Sequence, residues 1–531
     1  MMYVHRVVVL AAVVVTAGIV LAACQPQDPQ LVVFVTATAP AAEAEAGPAT
    51  GVIPEAPPPA TLDPLTAPTP NFVPTPNPTR VAIVDPTEDQ IHVVQFGDTL
   101  GVIAQRYGVT VDDILAVNDL PNANMLAIGQ PLIIPLGIQT VGPAFKIIPD
   151  SELVYGPGVA DFDVAAFVAG SDSFLAEYTE SFRGRTWTGA EMIEQVALEQ
   201  SINPRLLLTM LEYESGWLTR STIPEDDVMY PMNYLERPDE IYGLYRQLDW
   251  AAKQLQVGIY GWRLRGLGAT ILEDGTRAGL AGTLNAGTAG VQVYLARTRT
   301  ADQWMVAAGH TGFFATYVSL FGDPFLYAVE PLIPTYLEQP PLALPWAPDE
   351  TWYFTGGPHG GWGSGSAWAA LDFVPVSTPQ GCTLPEEYAR AVADGVIASS
   401  RFGHVIIDLD GDGDPGSGWT IFYLHIATEG RADAPGQQVA VGDPIGLPSC
   451  EGGISFASHL HIARRYNGEW IPADCTNCLP TIPTPQLNFE GWVAYELDRE
   501  YNGQLVRGAE WREACVCRDP INTFSPADRI R

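Results

Sequence analysis

The chain has 531 residues, which at roughly 100–200 residues per domain predicts about three folded units. It is 47% hydrophobic, 10% aromatic and only 17% charged, a composition that supplies real cores and excludes disorder throughout. Its 61 acidic and 27 basic residues give a net charge of −34, with Lys146 and Lys253 the only lysines, so phosphate backbones repel it and nucleic acid is excluded as a partner.

After Arg6 comes an apolar run from Val7 to Ala23 that closes on Leu21-Ala22-Ala23-Cys24. The run is at the short limit for a spanning helix and fits a signal peptide over residues 1–24. Leu-Ala-Ala-Cys resembles the lipobox of bacterial lipoproteins, which implies lipidation of Cys24 and attachment to a membrane through that lipid. A plain anchor or an ordinary secretory signal would equally place the remainder outside the cytoplasm. Residues 25–90 turn to Pro, Thr and Ala, with 15 of the 46 prolines between Pro26 and Pro86. Such a segment buries too little to offset its ordering entropy and reads as an extended linker.

Order is expected from Ile91. Residues 91–136 read as strand, helix, helix, strand: Ile91 to Phe96, a Gly97-Asp98-Thr99 helix start with Val102, Ile103 and Tyr107 at helical spacing, a second helix after the N-cap candidate Thr110 with Asp113 three positions on, and Gly129-Gln130-Pro131-Leu132-Ile133-Ile134 turning into a strand. This βααβ pattern, with Gly-Asp-Thr-Leu, Asn118 and Gly-Gln-Pro-Leu in place, resembles a LysM module. The resemblance implies binding of N-acetylglucosamine polymers such as peptidoglycan. The groove would be formed by Gly97, Asp98, Thr99 and Leu100 with Met125, Leu126, Ala127 and Ile128, while His92 would be an ordinary strand residue.

Residues 137–345 are predominantly α by periodicity, with one long run from Trp187 to Met210 continuing through Gly216, and further helices in Tyr242–Leu255, Val291–Arg297 and Trp304–Ala308. Ile202-Asn203-Pro204-Arg205 followed by Glu214-Ser215-Gly216, with the later Leu284-Asn285-Ala286-Gly287, resembles the lysozyme-like lytic transglycosylases. Glu214 would then be the acid that protonates a glycosidic oxygen, which requires an apolar pocket that raises its pKa. Glu212 is a second candidate. The Gly-Leu-Met-Gln motif of that family is absent, and Leu284 stands where it has Tyr. A carboxylate that is merely solvated or paired is the competing reading of Glu214.

Five of the eight histidines, His359, His404, His425, His459 and His461, fall between Trp346 and Asp474. Gly356-Gly357-Pro358-His359, Leu371-Asp372-Phe373, Tyr423-Leu424-His425 and Ser458-His459-Leu460-His461 resemble the motifs of LytM-type (M23) zinc endopeptidases, a mainly antiparallel β fold expected here over residues 346–531. The resemblance implies that His359, Asp372 and His461 hold one zinc ion. It also implies that His425 and His459 serve as general base and stabiliser. Two imidazoles and one carboxylate leave a fourth position for water, as a catalytic zinc requires. Residues 360–371 separate the first His from the Asp, more than most of the family has; this long form resembles the β-lytic branch. His404 reads as a core residue. Asp408, Asp410, Asp412 and Asp414 alternate with turn glycines like half a calcium loop without its bidentate Glu, or like a solvated hairpin tip.

The six cysteines after Cys24 suggest disulfides in an exported chain, expected as Cys382–Cys450, with Cys475 and Cys478 crossing to Cys515 and Cys517; a structural zinc is the alternative for the last four. The tail from Leu487 to Asn502 is expected to extend the peptidase sheet. Together these readings describe a multidomain, extracytoplasmic, membrane-tethered zinc peptidase of peptidoglycan peptides, targeted by a LysM domain. Glycan-strand cleavage through Glu214, or a non-catalytic wall-binding activator, are the alternatives.

Overall fold

In the computed structural model residues 90–529 are described, apart from 96–97, 108, 119, 121–125, 136, 139, 477 and 479–483. The signal segment, Cys24 and the Pro-rich linker up to residue 89 lie outside the described residues, as do Gly97 and Met125 of the glycan loops.

The strand Gln90–Val93 pairs antiparallel with Pro131–Ile134, and the helices Leu100–Tyr107 and Val111–Val117 lie between them in sequence. Thr110 and Asp113 form a full capping box. Asn118 ends the second helix and ties it to the last strand: its amide donates to Ile133 O (2.6 Å) and its Oδ1 accepts from Ile133 N (2.8 Å). The strand turns His92 inward and leaves Ile91 70% exposed, because His92 finds polar partners inside, Asp98 at 2.7 Å and Tyr107 at 3.1 Å.

The middle region is mainly helical, and the single run read from Trp187 onward is two helices. Gly189–Gln200 starts at a Thr188/Glu191 capping box and stops at Ser201, whose φ of 54° is left-handed. Pro204–Ser215 starts at Asn203 with proline in its first turn, where the missing N–H costs nothing, and stops at Gly216 with φ 69°. The buried helix Leu244–Tyr260 packs on Ala286–Ala296 so closely that a Cβ on Gly258 would stand 2.5 Å from Gly290 Cα.

The C-terminal third is built on an antiparallel sheet, in the order Gln438–Val439, Gly395–Arg401, His404–Asp408, Trp419–Leu424, Leu460–Tyr466, Ala370–Pro375, Trp352–His359 and Thr523–Phe524, with Glu469–Trp470 paired to Leu460–Tyr466. Both faces are covered, which is why its strands read as continuous apolar runs. One face sends Val405, Ile407, Ile421, Tyr423, Leu460 and Ile462 into a core of its own. The other sends Ile406, Phe422, Leu424 and Ala463 into the core of the helical region. Trp470, 1% exposed, is the hinge of that contact: its backbone N–H donates to the Tyr260 hydroxyl (2.9 Å) and Arg465 stacks 3.8 Å from its ring. Arg263 reaches across as well, pairing with Asp150 at 2.7 Å and with Glu469.

The tail does not extend this sheet as expected. Asn488–Phe489, Trp492–Glu496, Gly503–Arg507 and Glu510–Glu513 form a separate four-stranded sheet, and among the described residues after them only Thr523–Phe524 joins the large one. Cys382–Cys450 is formed, but the other four cysteines pair locally, Cys475–Cys478 and Cys515–Cys517, rather than crossing. The two segments dock on different neighbours. Cys515 N–H bonds to Phe354 O on the sheet edge, whereas Cys478 lies in a crevice beside Tyr260 and Trp368.

Candidate metal centre

Strand pairing sets the centre. His461 lies opposite Asp372 on one side and Leu424 on the other, so its ring shares the face of Ala463 and Arg465 two and four residues on. His359 ends the next strand but one, where a register shift between Gly356 and His359 brings it opposite Ala370. His359 is 2% exposed, His461 5% and Asp372 8%.

Carbonyl oxygens only accept, so each one facing an imidazole fixes which nitrogen carries the proton. His359 Nδ1 donates to Gly357 O (2.8 Å) and His461 Nε2 donates to Gly361 O (3.0 Å). That leaves His359 Nε2 and His461 Nδ1 as lone pairs 3.0 Å apart, facing each other. Asp372 Oδ1 stands 3.3 Å from both, a buried oxygen with no hydrogen-bond partner of its own. Three acceptors converging on one point is an unfavourable arrangement for neutral groups and a suitable one for a divalent cation such as zinc. The electrostatics agree. Burial opposes ionisation of Asp372, yet His359 and His459 around it hold its carboxyl well below the usual carboxylate range. Burial likewise opposes protonation of His359, but Asp372 outweighs it and the imidazole is pulled up from its ordinary value.

His425 and His459 stand beside this cluster with ring centroids 4.4 Å apart. His425 has a left-handed φ of 60° and donates from Nδ1 to Glu451 O (3.0 Å), so its Nε2 is a free acceptor. Burial, then the neighbouring His459 and His461, push its pKa well below the ordinary histidine value and keep it neutral. His459 Nδ1 faces Ala457 O at 2.9 Å, and its Nε2 lies 3.6 Å from Asp372. His404 is wholly buried against Ser399 and Phe422, away from the cluster.

Two residues beside the centre carry no motif and were not singled out from the sequence. Tyr501 stacks on His359 with centroids 4.2 Å apart, and Glu500 accepts from Gly360 N–H at 3.0 Å. Both sit on the turn between Trp492–Glu496 and Gly503–Arg507, a non-local approach that spacing could not reveal.

The other expected sites fare differently. Glu214 is 4% exposed at its side chain, and Arg299 grips both its oxygens at 2.8 Å while the Tyr294 hydroxyl donates at 2.7 Å. Arg299 and Tyr294 thus occupy both oxygens of this carboxylate, the arrangement of a paired structural group. Glu212 accepts from Leu218 and Thr219 and closes the turn after its helix. In the N-terminal domain Asp98 is spent on His92 and Gln95, Thr99 caps the helix through Val102 N–H, and Leu100 is 5% exposed in the core. Of the described loop residues, Ala127 and Ile128 are exposed and Leu126 half-buried. Asp408, Asp410 and Asp412 lie within reach of one cation, without Asp414. However, the Asp408 oxygens already accept from Asp410, Gly411 and Gly413 N–H, so the carboxylate closes the turn and calcium finds no support there.

Residues 92–135 match the LysM domain family, and residues 146–334 match the LasA N-terminal domain family. Protease LasA of Pseudomonas aeruginosa is 26% identical over 345 residues, covering 61% of this chain and 74% of that protein. The cortical fragment-lytic enzyme of Bacillus subtilis is 46% identical over 50 residues, 9% of this chain and 12% of that one. Among solved structures, the M23 metalloprotease pseudoalterin is 21% identical with a TM-score of 0.26, over 33% of this chain and 96% of its own. The helical region has the LasA N-terminal domain family as a relative. The chain is thus LysM-like over residues 92–135 and LasA-like beyond them.

Proposed function

We propose that this protein is a zinc-dependent endopeptidase that cuts peptidoglycan peptide stems or cross-bridges and is held at the wall by its LysM domain. The observation that carries the proposal is the convergence of two imidazole lone pairs and the unpartnered Asp372 Oδ1, flanked by two further histidines, in a chain related to a protease. His359, Asp372 and His461 would hold the metal. When bound, zinc supplies a polarised water whose pKa falls toward about 7 and a Lewis acid for the scissile carbonyl. His425, neutral with Nε2 free, would accept a proton from that water; His459, its Nδ1–H directed at Ala457 O, would stabilise the oxygen on which charge develops as the imidazolium, the form that donates from Nε2 as well. The carbonyls of Gly357 and Gly361 keep both ligand rings oriented.

The LysM domain supports a wall substrate because a weak glycan binder raises the local concentration of the cutter at an insoluble polymer. With Cys24 lipidated, the enzyme would work from a membrane, outside the cytoplasm. The test is release of soluble peptides from purified peptidoglycan by the zinc-loaded protein. Activity that is absent in His425→Ala, with zinc content retained, supports the proposal. Equal activity in that variant contradicts it.

A further inference from the structure

The turn beside the metal centre is tied by three hydrogen bonds to the segment that carries His359. Gly357 N–H donates to Tyr501 O (2.8 Å), Tyr501 N–H donates to Pro358 O (3.2 Å), and Gly360 N–H donates to Glu500 (3.0 Å). Glu500 is therefore fixed next to the strand that carries His359. Behind it opens a crevice of about 240 Å³ lined by Tyr260, Arg265, Ser364, Gly365, Trp368 and Glu500. Two charges face this space. Arg265 is neutralised by a two-point pair with Glu496 at 2.8 and 3.1 Å, and its guanidinium lies 4.9 Å from the Trp368 ring. Among the described residues no cation lies within 4 Å of Glu500, which accepts from the Gly360 backbone N–H. The crevice thus has an apolar and aromatic wall, room for one long side chain, and one uncompensated carboxylate beside the catalytic strand.

We propose that Glu500 is a specificity-determining residue whose carboxylate binds the ammonium of a diamino-acid side chain in the wall peptide, with the side chain's methylenes lying along Trp368. The inference rests on the peptidase reading above and names its substrate class: stem peptides whose diamino acid carries a free amine. A carboxylate and ammonium paired in a partly enclosed crevice form a charge-assisted hydrogen bond, and losing it reduces turnover about tenfold or more.

The experiment compares native peptidoglycan with the same wall acetylated at its amines, using the full zinc-loaded chain and identifying the products by mass spectrometry. The proposal expects native wall to be cut about tenfold faster or more, with cleavage concentrated beside residues bearing an unblocked side-chain amine. In Glu500→Gln the native-to-acetylated ratio collapses toward one, and Glu500→Asp restores part of it. Equal rates on both walls by the unmodified protein overturn the proposal and leave the peptidase reading standing, as does a preference set by terminal rather than side-chain amines. Cleavage of neither wall removes the peptidase reading and this inference with it.

Discussion

Replacing Glu214 by Gln separates a structural carboxylate from a catalytic one. Glu214 and Arg299 have side chains 4% and 12% exposed, with both contacts at 2.8 Å. Removing the anion leaves the guanidinium buried, and it cannot easily withdraw because it also lies 5.1 Å from the Tyr213 ring. Breaking a buried pair on one side costs about 3–5 kcal/mol; Gln retains an acceptor for Tyr294, so the lower end, about 3 kcal/mol, is expected. For a region of this size that corresponds to a melting shift on the order of 10 °C. The assay is urea denaturation of the single variants Glu214→Gln and Arg299→Met and of the double variant. The double variant should recover about 2 kcal/mol relative to the sum of the singles. A Glu214→Gln change within about 0.5 kcal/mol of the parent, without coupling to Arg299 but with loss of glycan cleavage, would refute the structural role.

Other consequences concern the metal and the frame that holds it. Zinc must displace a proton from His359, whose pKa is raised, so zinc affinity measured by competition should fall about tenfold per pH unit below that raised value. In metal-free protein the His359 contribution to stability is present below its unfolded value of 6.5 and lost as pH rises through the folded one. The Asp372 contribution is present above 3.8 and lost on acidification through its depressed folded value. The buried His425, His461 and His404, held below the ordinary histidine value, act in the opposite sense and outnumber His359, so metal-free melting should fall as pH drops below about 6.5. Asp372→Ala should abolish zinc binding in dialysis, whereas His425→Ala should retain the metal and lose about 10²–10⁴ in rate. Cys382→Ser opens a bridge between residues 68 apart, worth about 4 kcal/mol by loop entropy, read by denaturation under non-reducing conditions. Trp470→Ala should cost about 3–5 kcal/mol. It should also loosen Gly361, which packs on that ring and bonds His461, so a parallel weakening of zinc binding is the diagnostic readout.

The legible features were those written in local spacing. Thr110 with Asp113 announced a helix start, and two histidines two apart on a strand had to share a face whatever surrounded them. The long segment between His359 and Asp372 hid nothing essential, because antiparallel pairing restores the two side chains to one place after a loop of any length. What escaped the sequence depended on partners distant in the chain. Ser201 breaks a helix that periodicity runs straight through, and its hydroxyl bonds Gly468 O (2.6 Å), 267 residues away. Spacing left Glu214 between a catalytic acid and a paired carboxylate, because its partner Arg299 stands 85 residues on. The tail looked like extra strands for the large sheet, but it folds its own and in doing so delivers Glu500 and Tyr501 to His359. Sequence pattern gives the face a residue takes; only the fold gives its neighbour.

The proposed hydrolysis of wall peptides rests on His359, Asp372 and His461 acting as one metal centre. The most direct measurement is mass spectrometry of products released from purified peptidoglycan by the full protein, with and without a zinc chelator. New free amino ends that vanish on chelation and return with added zinc are expected of a zinc endopeptidase. Reducing or anhydro-sugar ends that survive chelation, or binding without any soluble product, would contradict it.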